Sequence, residues 1–483
     1  MAYVRQVKTG SGATAVQIVT KSGGKIVKVE HLGSGHNQEE IKALMSLAHK
    51  RLHLHQTLLF PEEKLSSSLR LTLKHSYSVL LWQVLSTCYK TLGFGELNDP
   101  VFMALAVARL VTPTSKIDSL RVLLEIGAPL YKKHELYSSL SRVIAKDYRS
   151  TVSRLCVAYG KVQGLSLVLY DVTTLYFEVQ KEDEYRQPGM SKERRLEPQI
   201  IVGLLVNQQG FPLGLHSFPG RTAETTTIVP VLTDFCQKHG VKDLTVVADA
   251  AMLSQKNLEK LTEAGYHYIV GSRLYKIPYE IEEYRKTKEL GDCEIVTSEK
   301  DGYHIHYQYK EKRATLDLFN LEKQIEKAKR VINGQTKVSR AKYVTVQTKK
   351  KQLNQKLIDK AKSLAGIKGY VTNLDAPATA VITYYHQLFQ VEKSFRMAKS
   401  DLKARPIFHH KKDSIEAHLT LVLVAIAIGR YIEEKTQVSL KRFIQLLLPI
   451  RSGTVTINNH DYEATADIPP FINTLLQKLP LGH

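Results

Sequence analysis

The sequence has little cysteine and no long hydrophobic run. Its four cysteines are far apart and form no C-x-x-C pair, at Cys88, Cys156, Cys236 and Cys293. This argues against a structural zinc site or a disulfide framework and fits a reducing cytoplasm. The most apolar run, "LTLVLVAIAI" from Leu419, has about half the length that spans a bilayer, so we expect a buried helix and no membrane partner. The chain opens on the polar stretch "AYVRQVKTGSG", so we expect no signal peptide.

Acidic residues are also scarce relative to basic ones. The 483 residues include 68 Lys and Arg but only 47 Asp and Glu, which gives a formal net charge of +21. The segment 310–368 alone contains 17 basic and 5 acidic residues. A solvated pair of charged helices usually alternates in sign, and this segment does not. The excess therefore predicts a polyanionic partner, nucleic acid, with the run Lys349, Lys350 and Lys351 among the groups that contact it.

Changes of pattern divide the chain into segments. Residues 1–35 alternate β-like runs with glycine turns, which predicts a small β-rich unit. Residues 36–160 read as a helical domain for DNA binding or dimerisation. From residue 161 to 274 the order is β-β-β-α-β-α-β, typical of an α/β domain with a mixed sheet flanked by helices. A basic insertion of strands and helices follows at 275–369, the core resumes at 370–435, and 436–483 form a C-terminal region.

Two aspartates stand out by their positions in this pattern. Asp171 ends the apolar run "LSLVLY" and, by the period of two, shares a face with Leu167 and Leu169. Asp249 ends the next strong buried strand, "LTVVA". Either residue alone is most simply a turn residue or a helix cap. The carboxyl ends of central strands are, however, where sites form in open sheets with helices, so the two together predict a site.

A third carboxylate lies in "YYHQLFQVEKSFRMAKSDL", residues 384–402, which predicts one amphipathic helix. Tyr385, Leu388, Phe389 and Phe395 recur at helical spacing, and Glu392 shares their face. A lone glutamate there is ordinarily a solvated residue at the edge of the stripe, because unpaired glutamate is almost never fully buried. The alternative is a buried Glu392 that is paired with a cation or a metal.

Three convergent carboxylates on a basic protein favour the alternative. Asp171, Asp249 and Glu392 supply the oxygen ligands that bind Mg²⁺. Two such ions about 4 Å apart activate a hydroxyl nucleophile and stabilise the leaving oxygen of a phosphodiester. We therefore predict catalytic and metal-binding roles for all three residues, with two Mg²⁺ ions and with Mn²⁺ able to substitute.

In residues 165–430 the chain resembles the ribonuclease H-like catalytic core of DDE transposases from bacterial insertion sequences. Tyr385, Glu392 and Lys399 match the spacing of the signature Y-x(2)-R-x(3)-E-x(6)-K of one group of these enzymes, and Arg396 continues it. One position departs, because the arginine of the signature is Leu388 here. Either this chain makes no equivalent contact with DNA, or Arg396 makes it instead.

The resemblance implies a transposase with a ribonuclease H-like core and an insertion domain. It implies Mg²⁺-dependent strand cleavage and strand transfer at the terminal inverted repeats of its own element and at target DNA. It further implies DNA contacts by Tyr385, Arg396 and Lys399, a homodimer in the synaptic complex, and a place in the prokaryotic cytoplasm at the nucleoid. Two alternatives stay open: a nuclease or resolvase on the same core, which would use the same acids, and a non-catalytic DNA-binding protein, which would need none of them.

Overall fold

The computed structural model describes residues 2–10, 12–53, 71–162, 165–178, 181–189, 197–250, 254–300, 302–335, 341–347, 350–457 and 460–480. The chain divides into two compact units. The smaller comprises Met1–Thr72 and Val455–Tyr462, and the larger comprises Leu73–Thr454 and Glu463–His483.

The smaller unit contains a three-stranded antiparallel sheet. Its strands are β1 (Ala2–Lys8), β2 (Thr14–Ser22) and β3 (Lys25–Gly35), in spatial order, and α1 (Gln38–His53) packs on them. The β2–β3 turn consists of Gly23 and Gly24, both with positive φ (58° and 80°), as a two-residue hairpin turn requires. The three strands lie in the segment 1–35 that predicts a β-rich unit, whereas the compact unit extends through α1 to Thr72.

The larger unit begins with a layer of helices. The helical domain predicted for 36–160 stays a prediction, because α1 belongs to the smaller unit. After β4 (Leu71–Tyr77) come α2 (Val79–Thr91), α3 (Pro100–Val111), α4 (Ser119–Glu125), α5 (Lys133–Ala145) and α6 (Tyr148–Val162). Asp99 starts α3, because its carboxylate accepts the Phe102 N–H at 3.0 Å and Pro100 occupies the first helical position.

An eight-stranded mixed sheet forms the centre of the larger unit. Its strands are β5 (Leu167–Tyr176), β6 (Gln199–Val206), β7 (Pro212–Pro219), β8 (Thr245–Ala248), β9 (His267–Ser272), β10 (Ile295–Lys300), β11 (Tyr303–Tyr309) and β14 (Ile367–Thr372). The spatial order is β10-β11-β14-β9-β8-β5-β6-β7. β5, β8 and β9 are mutually parallel, and the other pairs are antiparallel.

Along the chain, the first five strands of this sheet are β5, β6, β7, β8 and β9. In space the third strand lies at the edge, followed by the second, first, fourth and fifth. An antiparallel hairpin pair lies beside the first strand on one side and two parallel strands lie on the other. This is the ribonuclease H-like arrangement, so the predicted fold class is confirmed. The predicted helix ends between the strands are also present. α7 (Ile228–His239) ends at Gly240 with φ 60°, and Ser254 Oγ accepts the Asn257 N–H at 3.2 Å to start α8 (Gln255–Glu263).

The basic segment 275–369 contributes to the same sheet. It contains α9 (Tyr279–Thr287), α10 (Glu311–Ile332), α11 (Gln355–Leu364) and the hairpin of β12 (Val344–Gln347) and β13 (Lys350–Leu353). Its other strands, β10 and β11, extend the central sheet through β14. The strand part of the insertion thus continues the core sheet, and the predicted domain boundaries stay a prediction.

The remaining elements follow β14. They are α12 (Ala378–His386), α13 (Phe389–Arg396), α14 (Lys412–Thr436), α15 (Leu440–Leu447), β15 (Ser452–Ile457), β16 (His460–Ala464) and α16 (Pro470–Leu476). Within the described part of the chain, only α14 is long and apolar enough to cross a membrane. It carries the predicted apolar run and packs against α2, α3, α5, α6 and β7, which is the burial expected of a core helix.

Candidate active site

Asp171 and Asp249 occupy matching positions on neighbouring parallel strands. The last residue pair between β5 and β8 is Tyr170 with Ala248, and an aspartate follows on each strand. Neighbouring strands lie about 4.8 Å apart. Leu169 and Val247, two residues earlier, belong to the same core cluster, so both aspartates point to that face of the sheet. Both carboxylates are partly buried.

The strand-end prediction holds for Asp249 but is wrong for Asp171. β8 ends at Ala248, whereas β5 continues to Tyr176 because β6 pairs with it on the other side, with Asp171 opposite Leu204. Asp171 therefore lies in mid-strand, at the point where its parallel neighbour stops. The two residues still lie side by side at the carboxyl end of β8.

The stretch that predicts one amphipathic helix is broken into three elements. α12 ends at His386, α13 begins at Phe389, and a π-helical turn spans Met397–Asp401. The break changes the phase of the apolar face. α13 buries Val391, Ser394 and Phe395, while Glu392 is exposed and Phe389 is 46 % exposed. The expectation of a buried Glu392 is wrong, and the solvated position is the one observed.

Distant contacts hold α13 in this phase. Ser394 Oγ donates to the Gly210 carbonyl at 2.8 Å, in the β6–β7 turn. Arg430 of α14 donates to the same carbonyl at 3.2 Å and to Gln390 Oε1 at 2.9 Å. These bonds require Gln390 and Ser394 to face the sheet. Glu392 and Phe389 consequently face outward.

Tyr385 links α12 to the aspartate pair. Its hydroxyl donates to Asp249 Oδ1 at 3.2 Å, and its ring packs edge-on against Tyr370 at 5.0 Å between centroids. Burial, and then the charge of Asp249, raise the pKa of the Tyr385 hydroxyl, so it remains a proton donor. The ring is buried, so a contact of Tyr385 with DNA remains a prediction.

Lys368 of β14 completes this group, and it was not among the residues predicted from the sequence. Its ammonium lies 4.2 Å from the centre of the Tyr385 ring. Burial, and then the charge of Arg313, lower the pKa of Lys368. Lys368, Arg313, Asp249 and Tyr385 line one open cavity of about 640 Å³. The signal that could have revealed Lys368 is a lone cation in the buried strand "GIKGYVT".

Three of the other predicted DNA-binding residues, Arg396, Lys399 and Lys351, do not line this cavity. Arg396 is exposed at the end of α13, and Lys399 is partly buried in the π-helical turn. Lys351 is exposed on β13. Lys349 and the side chain of Lys350 lie outside the described residues.

The aspartate pair fits a hard divalent cation. Two partly buried carboxylates on one face of adjacent strands provide an all-oxygen donor set, which suits Mg²⁺. Among the residues that the structure describes, no group of three or more His, Cys, Asp or Glu side chains is close enough to hold a metal ion. Glu392 is therefore not gathered with the pair, although its charge is felt at Tyr385 and Lys368.

Comparisons with known proteins bear on this site. A family model described as the transposase DDE domain matches residues 163–428, more than half of the chain, including all three predicted acids. A piggyBac transposase synaptic complex with hairpin DNA has 9% sequence identity and a TM-score of 0.42, with 76% of each chain covered. A Mos1 transposase paired-end complex with a left transposon end has 13% identity and a TM-score of 0.16, over 47% of this chain and 66% of that one. No curated protein sequence matches the chain.

Proposed function

The chain belongs to the transposase DDE domain family, and from that membership we propose that its aspartate pair is the centre of a metal-dependent DNA cleavage and strand-transfer site. The family makes it a DNA transposase, an enzyme that cleaves DNA and joins the cut strand to a new position. The finer proposal is that it acts on the terminal inverted repeats of its own element. The observation that carries the proposal is the placement of Asp171 and Asp249 side by side at the carboxyl end of β8.

We propose Asp171, Asp249 and Glu392 as the residues that hold the metal. A bound Mg²⁺ supplies charge that activates a hydroxyl nucleophile and stabilises the leaving oxygen of the phosphodiester. Mn²⁺, which accepts the same oxygen ligands, is expected to substitute. Glu392 lies on the exposed face of α13. Either Glu392 or the aspartates must therefore move before all three can hold the same metal.

The side chains around the pair have roles that need no metal. The Tyr385 hydroxyl donates to Asp249 Oδ1 and so fixes the orientation of that carboxylate. Lys368 and Arg313 bring positive charge into the cavity that contains Asp249. A phosphodiester in this cavity would be held by these two cations. Because the arginine of the group signature is replaced by the buried Leu388, we propose that Lys368 supplies the missing charge.

We further propose membership of the group with the Y-R-E-K signature and a bacterial origin. The support is the spacing of Tyr385, Glu392 and Lys399. A homodimer that pairs two element ends, in the cytoplasm at the nucleoid, belongs to the same proposal. The net charge of +21 supports a DNA partner.

The test is to separate cleavage from binding in three single variants, Asp171→Ala, Asp249→Ala and Glu392→Ala. Each should lose cleavage of a duplex that carries the element end and keep its affinity for that duplex, because affinity comes from phosphate contacts elsewhere. Asp467→Ala, at an exposed carboxylate, is the matched control and should cleave normally. A variant that retains near-normal cleavage removes its residue from the site, and normal cleavage by all three refutes the proposal.

A further inference from the structure

A second cavity, of about 540 Å³, lies away from the aspartate pair and is lined by cations. It is formed by the end of α3, the segment before α4, residues 403–409 and α14. Its basic and imidazole groups are Arg109, Lys116, Lys403, Arg405, His409 and His418. No Asp or Glu occurs among the described residues that line it. Such a cavity attracts an anion.

The two innermost cations are buried and incompletely paired. Arg109 is 6% exposed; its Nη1 donates to the carbonyls of Leu402 at 2.8 Å and Lys403 at 3.3 Å, while its buried Nε has no hydrogen-bond partner in the described structure. Lys116 is 7% exposed, and its ammonium lies 3.4 Å from His418 Nδ1. A buried charge without a counter-charge is strongly unfavourable, so these groups lack what would stabilise them.

His418 orients Lys116 toward the cavity without neutralising it. The His418 Nε2 lies 3.2 Å from the Ala404 carbonyl, which can only accept, so Nε2 carries the proton and Nδ1 accepts from Lys116. Burial lowers the pKa of Lys116, and the nearby charge of Arg109 lowers it further. Among the described residues, no carboxylate lines the cavity or pairs with Lys116, Arg109 or His418. An anion from outside the chain would supply that partner.

We propose that this cavity binds a phosphate group of the DNA strand, with Arg109 and Lys116 as its inner ligands. Arginine and lysine are the side chains that hold phosphate oxygens. At the rim, Phe408 is 66% exposed and Tyr137 is 45% exposed, as suits rings on which a base of the same strand stacks. An isolated inorganic anion would need no such rim.

A DNA strand that runs from the aspartate pair along β5 would also reach this cavity. Segment 403–409 is attached to the far end of β5, because the Ile407 N–H donates to the Tyr176 carbonyl at 3.1 Å and the Arg405 guanidinium lies 5.4 Å from the Tyr176 ring. Tyr176 follows Asp171 by five residues on one strand, a span of about 17 Å. A duplex covers that span in about five nucleotides. The inference that the bound phosphate belongs to DNA thus rests on the proposed function. The inference that the cavity binds an anion does not.

The test compares Lys116→Met with Lys90→Met, a matched change at an exposed lysine of α2. Thermal unfolding is measured in chloride and in inorganic phosphate at equal ionic strength. Phosphate should raise the midpoint of the wild type and of Lys90→Met, because a ligand that binds only the folded state stabilises it. Lys116→Met should have a raised midpoint without phosphate, since an unpaired buried charge is gone, and should show no further rise with phosphate.

Two results would overturn the anion site: a wild type that phosphate does not stabilise, or a Lys116→Met variant that responds as the wild type does. If Lys116→Met does not fold, Lys403→Gln at the exposed rim should weaken the phosphate response, and an unchanged response would count against the site. Asp249→Ala should keep the full response. That variant separates the two proposals, because its cleavage tests the function and its phosphate response tests the cavity.

The source of the phosphate is tested with DNA. For a duplex that carries the element end, the log–log slope of affinity against salt should become shallower by about 0.9 in Lys116→Met, because one phosphate fewer is neutralised. Lys90→Met should keep the wild-type slope. A normal phosphate response with an unchanged DNA slope would assign the cavity to free phosphate and would refute the DNA part of the proposal.

Discussion

Replacing Tyr385 with phenylalanine is the most direct test of how the aspartate pair is organised. The change removes one oxygen, which lies 3.2 Å from Asp249 Oδ1. The ring keeps its edge-on contact with Tyr370 and its contact with the Lys368 ammonium, at 5.0 Å and 4.2 Å. We therefore expect the fold to be unchanged and the orientation of Asp249 to be the main effect.

The size of the effect follows from the hydrogen bonds of Asp249. A bond to a charged group contributes about 1.5–3 kcal/mol. Asp249 Oδ1 also accepts the Ala250 N–H at 2.7 Å, which holds the carboxylate in part, so we expect the lower end of that range. About 1.5–2 kcal/mol corresponds to a tenfold to thirtyfold slower cleavage.

A second substitution reaches the same hydroxyl from the other side. A Cβ added at Gly271, on β9, would lie 2.5 Å from the Tyr385 hydroxyl oxygen and 3.1 Å from its ring carbon Cζ. Gly271→Ala must therefore displace the hydroxyl from Asp249 and should slow cleavage at least as much as Tyr385→Phe. In the Tyr385→Phe background the closest clash is absent, so Gly271→Ala should slow cleavage by a smaller factor there. The effects of the two substitutions on the cleavage rate should therefore be non-additive.

The assay is single-turnover cleavage of a duplex that carries the element end, with affinity measured separately by gel shift. The reasoning is refuted if Tyr385→Phe cleaves at the wild-type rate. It is also refuted if Gly271→Ala slows cleavage by the same factor in both backgrounds.

Three further predictions concern other parts of the chain. Lys399→Ala should weaken binding or cleavage of the element end, and unchanged kinetics in the folded variant would exclude a contact with DNA. Replacing lysines 349–351 with glutamine should make the salt dependence of DNA affinity shallower, by about 0.9 in log–log slope for each phosphate that is no longer neutralised, with sequence preference intact; an unaltered slope would show that this run does not contact phosphate. Burial lowers the pKa of His216 from 6.5 to about 4, so the unfolded chain binds a proton that the folded chain excludes. The free energy of unfolding should therefore fall by up to about 3 kcal/mol as pH drops from 6.5 to 4, and His216→Gln should remove this part of the pH dependence in denaturant titrations.

The central strands and several helix ends could be predicted from sequence because their signals are local. Alternating apolar residues indicate β5 and β8, and single residues such as Gly240 and Ser254 mark helix ends. The aspartate positions followed from the same alternation. The prediction placed Asp171 wrongly along its strand, because the length of β5 depends on pairing with β6, which the period of one strand does not show.

The break between α12 and α13 could not be predicted, because its cause is tertiary. The stretch contains neither Gly nor Pro, so its local preference is one continuous helix. The contacts of Ser394 and Gln390 with Gly210 and Arg430 join residues 184 and 40 positions apart, and they set the phase of α13. The pairing of β14 with β9, which brings Lys368 close to Asp249 at the end of β8, is equally non-local.

The burial of α14 has a practical consequence for dissecting the protein. The family match stops at residue 428, inside this helix, which runs from Lys412 to Thr436. α14 packs against α2, α3, α5 and α6 of the helical layer as well as against β7 of the sheet. A fragment cut to the family boundaries would lose the helical layer and expose the apolar side of α14 to water, and such a surface promotes aggregation. Expression trials of the catalytic sheet should therefore retain the whole larger unit, residues 73–454 together with 463–483.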